Sequence, residues 1–139
     1  MIIQLTINVL LQAAAVTAGG RDYATAYHQA VETGRPLVVL LGADWCPGCQ
    51  QMKNAAIPEL EKKGGLSKVA FAQVNTEQQG QLAGKLMQGS SIPQLVMFYK
   101  TGAGWRRRQL TGARSAVDIQ AFLDKAPEGG PVVELSRSE

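Results

Sequence analysis

The sequence predicts an α/β domain, a central mixed β-sheet flanked by helices. Three observations carry that prediction. Residues 36–44, 69–74 and 95–99 form apolar runs with little polar interruption, the composition of strands covered on both faces. Between these runs, residues 47–60 and 78–87 place their apolar side chains at helical spacing. The third run leads through Thr101-Gly102-Ala103-Gly104 into Trp105–Leu110, a Gly-containing connection that joins neighbouring antiparallel strands.

Length and charge narrow the function classes. A chain of 139 residues builds one domain with an ordinary apolar core and needs no disulfide staples. Fourteen Lys and Arg against eleven Asp and Glu leave a formal charge of only +3, which gives no case for a nucleic-acid partner. The one basic run, Arg106-Arg107-Arg108, reads as an exposed strand edge guarded against pairing, with a docking patch for an acidic partner as the alternative.

Taken in order, residues 1–20 read as a signal-like or helical segment with a linker, 21–126 as the folded domain and 127–139 as a C-terminal tail. Residues 2–18 carry no charge and end in small residues, resembling the core and cleavage region of a secretory signal cut after Ala18, although a positively charged start is missing. Gln4, Asn8 and Gln12 at four-residue spacing keep an amphipathic helix open as the alternative. The segment is marginal in length and polar in places, so no stable membrane span is expected. Asp22 is placed to cap a helix from Tyr23 to about Glu32, with Tyr23, Ala26, Tyr27, Ala30 and Val31 as its buried stripe and the lone His28 on the wet side. Pro58 should bend or end the helix that starts at Pro47, and Gly64-Gly65 closes that region. A short helix over 78–87 turns Leu82, Leu86 and Met87 inward. Ser115 starts a last helix with Val117, Ile119, Ala121, Phe122 and Leu123 largely inward.

The chemistry concentrates at Trp45-Cys46-Pro47-Gly48-Cys49, which holds the only two cysteines. Pro47 suits the first helical position, so Cys46 falls at the N-cap. Residues three apart share a helix face with Cβ atoms about 5–6 Å apart, and a small adjustment of the first turn, which Gly48 permits, brings them to the ~3.5–4.5 Å of a disulfide. The pair can therefore close and open. Free N–H groups and the helix macrodipole stabilise an anion at this end by up to about 2 kcal/mol, enough to bring a thiol from about 8.5 to near 7. Other uses of two thiols remain: a structural disulfide, half of a zinc site, or copper(I) capture with help from Met52. Covalent haem attachment is disfavoured because Gln50 stands where Cys-x-x-Cys-His needs its histidine.

At these residues the sequence resembles the thioredoxin superfamily. Gly42-Ala43-Asp44-Trp45-Cys46-Pro47-Gly48-Cys49 is similar to its strand-to-helix active site, and Ser91-Ile92-Pro93-Gln94-Leu95 to its cis-proline loop. The likeness covers roughly residues 23–125 and is nearest to thioredoxin-like domains of exported bacterial proteins, such as the C-terminal domain of DsbD. It implies a thioredoxin-like fold and thiol–disulfide exchange with protein substrates. In that cycle Cys46 is the exposed attacking sulfur and Cys49 the buried resolving one, the two alternating between dithiol and disulfide. It also implies a cis Ile92–Pro93 bond, with Trp45, Ile92, Pro93 and Gly112 lining the substrate groove, Gly112 as a small residue that allows close approach. No cofactor and no metal are implied. The expected partners are protein thiols or disulfides and an unidentified redox partner, met by a monomer in the periplasm or another extracytoplasmic space, with the cytoplasm as the alternative. A non-catalytic binding module, for a protein or for copper(I), is the rival reading. The sequence departs from the family at Leu40, where thioredoxins proper place a buried acid, and at 69–74, which supplies no Lys. Proton removal from Cys49 then falls to water, Asp44 or Glu32, which suits a partner-specific exchange domain better than a general reductase.

Overall fold

Strand β1 (Leu37–Gly42) forms the middle of a four-stranded sheet and ends directly beneath the cysteine pair. The computed structural model describes residues 21–125, so the signal-like segment at 1–20 and the tail expected at 127–139 lie outside the described residues. The other elements are α1 (Tyr23–Thr33), α2 (Pro47–Gln51), a π-helical turn (Met52–Ala56), α3 (Ile57–Lys62), β2 (Ala70–Asn75), α4 (Gly80–Leu86), β3 (Gln94–Thr101), β4 (Gly104–Thr111) and α5 (Ala116–Asp124). The sheet order is β2-β1-β3-β4. Strand β2 runs parallel to β1, with Leu37 opposite Ala70, while β3 runs antiparallel to β1, with Val39 opposite Val96. Strand β4 pairs antiparallel with β3 at the outer edge. The mixed sheet predicted from the sequence is therefore present.

Alternation along β1 divides the core in two. Val38 and Leu40 pack with Met52, Ile57, Leu95, Met97 and Ile119 on the face covered by α2, α3 and α5. Val39 and Leu41 pack with Ala26, Ala30, Val74, Ala83 and Val96 on the face covered by α1 and α4. Burying each larger side chain contributes about 1.5–3 kcal/mol relative to exposure, so β1 is held from both sides. That fixes the position of the loop leaving it.

Several local expectations need correction. Helix α1 is capped as predicted, Oδ2 of Asp22 accepting from the Thr25 N–H at 3.1 Å. Only Ala26 and Ala30 are buried, however, and Tyr27 and Val31 are exposed. Alanines let the helix sit close to the sheet, leaving the larger side chains on its flank beside Phe98 and Trp105. Pro58 does not stop the second helix, which continues to Lys62. The preceding turn is π-helical, with the Ile57 N–H bonded to the Met52 carbonyl, and its wider winding makes room for a ring that would clash with an α-helical carbonyl. On α5 the buried stripe is Ala116, Ile119, Phe122 and Leu123, while Ala121 is exposed and Val117 is 72% exposed.

The basic run on β4 is half-buried, not fully exposed. Arg107 donates to the Leu86 carbonyl at the end of α4 (2.8 Å), and Arg108 donates to the Lys125 carbonyl past the end of α5 (3.1 Å) while lying over the Phe122 ring. Cations suit these negative helix ends. Burial lowers the Arg107 pKa from its ordinary value. Among the described residues no helix is long and apolar enough to cross a membrane.

Candidate functional site

The chain leaves β1 at Gly42, turns through Ala43-Asp44-Trp45 and enters α2 with Cys46 at its N-cap. The Cys46 backbone is extended, and its Sγ accepts the Cys49 N–H at 3.2 Å. Cys46 and Cys49 are joined as a disulfide with Cα atoms 5.2 Å apart. The sequence expectation of one exposed and one buried sulfur does not describe this state. In this disulfide state Cys46 is 6% and Cys49 5% exposed.

That loop precedes β3. The Ile92–Pro93 peptide bond is cis, and the Ile92 carbonyl oxygen stands 4.0 Å from the Cys46 Sγ. Pro93 is buried and Ile92 half-buried. The loop is anchored by Gln94, whose fully buried side chain donates to the carbonyls of Gln88, Gly89 and Ser91 and accepts from the Gln88 N–H. Sequence reasoning placed Gln94 in the motif without seeing this role, for which a polar residue opening an apolar strand was the available signal. From the other side, Gly48 fits closely: a Cβ there would lie 3.3 Å from the Ala113 Cβ and 3.4 Å from the Pro93 Cδ.

Gly112 is beside the same loop, its N–H donating to the Pro93 carbonyl at 2.9 Å. The expected reason for glycine there was close approach, but a Cβ would meet nothing within 4 Å. The backbone requires it instead, since φ is +92°, where other L-residues are strained.

Trp45 is 67% exposed, so it is not part of the core; its indole N–H donates to the Glu77 carboxylate on the β2–α4 connection. Glu77 was invisible to sequence reasoning because the partner lies 32 residues away. Beneath α2, Leu40 belongs to the apolar core and stands opposite Gln73 in the sheet register. Asp44 lies on the surface of a cleft that reaches Cys49. Glu32 is on exposed α1 before the opposite end of β1, which removes it as a proton acceptor for Cys49.

Met52 is fully buried in the core, and His28 is exposed and edge-on to Tyr27. Among the described residues no group of three His, Cys, Asp or Glu side chains is arranged to hold a metal ion.

Comparison with protein families matches residues 21–125 to the Thioredoxin family. The chain belongs to that family. The thiol:disulfide interchange protein DsbD of Pectobacterium atrosepticum is 30% identical over 95 residues, covering 66% of this chain and 16% of that protein. The chain thus spans less than a fifth of the length of this curated relative. Among solved structures, a thioredoxin from Thermus thermophilus superposes with a TM-score of 0.62 at 23% identity, covering 76% of this chain and 83% of the other. A thioredoxin from Trichomonas vaginalis gives 0.59 at 25% identity, covering 74% and 89%. A thioredoxin fold bearing a close Cys46–Cys49 pair gives the domain a general thiol–disulfide redox character.

Proposed function

We propose that this thioredoxin-family domain exchanges disulfides with protein substrates, Cys46 attacking and Cys49 resolving. The observation that supports this most is the Cys49 N–H directed at the Cys46 Sγ from the first turn of α2. A hydrogen bond to the sulfur, together with the helix terminus, favours the charged form and makes Cys46 both a nucleophile and a good leaving group. The thiolate of Cys46 attacks a substrate disulfide, forms a mixed disulfide and expels one substrate thiolate. Cys49 then attacks Cys46, closing the Cys46–Cys49 bond and releasing the second. Two electrons pass from the cysteine pair to the substrate, and the reverse sequence oxidises a dithiol.

A substrate peptide in extended conformation would lie across Trp45, Ile92, Pro93 and Gly112, using main-chain groups of the loop for pairing. The similarity to DsbD supports work outside the cytoplasm, with an unidentified protein as redox partner. Insulin reduction by a dithiol-recycled enzyme, with Cys46→Ser as control, tests the assignment. Wild-type turnover abolished by the substitution is expected; equal turnover in both proteins, or a pair that glutathione cannot cycle, would remove it.

A further inference from the structure

A Cβ placed on Gly42 would fall 2.8 Å from both Cβ and Sγ of Cys49, inside van der Waals contact. Any larger residue there would crowd the sulfur and fill the space beside it. With glycine, a cleft of about 420 Å³ is lined by Cys49, the active-site helix and the β2–α4 connection. One water needs about 10–15 Å³ of such space, so the cleft has room for solvent beside Cys49, which is itself 5% exposed. Cys46, Trp45, Ile92 and Pro93 are absent from the cleft wall. Cys49 therefore has an opening of its own, apart from the face proposed to meet a substrate protein.

The wall is rich in side-chain amides and has two ionisable groups, Asp44 from the turn after β1 and Lys53 from the π-helical turn. The Asp44 carboxylate accepts from Asn75 Nδ2 at 3.3 Å. Glu77, on the β2–α4 connection, is engaged by Trp45 and does not line the cleft. The sheet contributes Leu40, Gly42, Gln73, Val74 and Asn75, none of them charged. Lys53, four positions after Cys49, takes part in neither ion pair found among the described residues, Arg21–Glu61 and Lys63–Glu59.

We propose that Cys49 loses its proton through this cleft and that Lys53 is the positioning charge favouring its thiolate, opposed by Asp44. The inference rests on the exchange reading above and supplies the step that Leu40 leaves without a buried acid. In the mixed disulfide, the Cys49 thiol gives its proton to cleft solvent. The resulting thiolate forms the bond to Cys46, the Cys46–substrate bond breaks, and the departing substrate thiolate is protonated from solvent.

In the full chain carrying Cys46→Ser, Cys49 is the sole thiol, and its ultraviolet thiolate absorbance can be followed against pH. Adding Lys53→Glu is expected to raise the Cys49 midpoint by about half to one pH unit, a three- to tenfold fall in thiolate below the midpoint, and Asp44→Asn to lower it by less. Lys62→Glu makes the same charge change on α3 away from the cleft and should leave the midpoint nearly fixed. With Cys46 restored, Lys53→Glu should slow resolution at neutral pH and progressively less as pH rises past the Cys49 midpoint, a profile that a purely structural role would not produce. Equal midpoints in Lys53→Glu and Lys62→Glu, with exchange intact, overturn this inference alone. Loss of exchange in the wild type overturns the reading it rests on.

Discussion

Replacing Gln94 by Leu tests whether one buried amide holds the proline loop against the cysteine pair. The substitution keeps roughly the same volume, so packing changes little, but every polar contact of the side chain is lost. Those contacts are 2.9 Å to the Gln88 carbonyl, 3.2 Å to Gly89, 2.9 Å to Ser91, and 3.3 Å from the Gln88 N–H. The Gln88 carbonyl keeps a second partner in Gln109 Nε2 at 3.2 Å, which leaves the Gly89 and Ser91 carbonyls and the Gln88 N–H without this support. At about 1 kcal/mol for each, the expected loss is about 3 kcal/mol, large against the ~5–15 kcal/mol that holds a domain together. Urea denaturation of wild type and variant should show the midpoint falling with an unchanged slope. Insulin reduction should fall as well, because Ile92 and Pro93 would no longer be held beside Cys46. A stability loss below about 0.5 kcal/mol would show that the Gln94 amide does not hold the loop.

Three further outcomes are expected. Gly112→Ala should cost about 1–2 kcal/mol from backbone strain alone, since φ is +92° and a Cβ meets no neighbour, and thermal denaturation measures it. Asp22→Ala should cost about 0.5–2 kcal/mol by uncapping α1, visible as a lower urea midpoint. Burial, and then the neighbouring Tyr27, raise the Tyr23 pKa above its ordinary value of 10.0. The folded state therefore holds this proton more tightly than the unfolded state, so the associated stability is present below pH 10 and declines as pH rises through the folded pKa. Tyr23→Phe should remove that share of the alkaline stability loss in denaturation curves taken at increasing pH.

The sheet was legible because its strands are buried on both faces and lack a polar side to obscure them: Leu37–Gly42, Ala70–Asn75 and Gln94–Thr101 each fall within two residues of an apolar run. The cap residues Asp22, Cys46 and Ser115 were legible because capping depends on local backbone geometry. Burial on the helices was less so. Tyr27, Val31 and Val117 are apolar, but whether an apolar side chain reaches the core depends on how closely its helix approaches the sheet, which a single strip of sequence does not contain. The helix does not end at Pro58, because of a π-helical turn that leaves no mark in residue type. At the site, the cysteines and Pro93 stood out through their spacing and motif. Glu77 on Trp45 and the cleft beside Gly42 did not, as both depend on segments about thirty residues apart in the chain.

The most direct measurement is covalent trapping of a disulfide-containing peptide by Cys49→Ser and Cys46→Ser variants, resolved by mass spectrometry. A stable mixed disulfide on Cys46 of the first variant is expected, with little or no adduct in the second. Adducts forming faster on Cys49 than on Cys46, or on neither sulfur, would contradict the assignment of attack to the sulfur that caps α2.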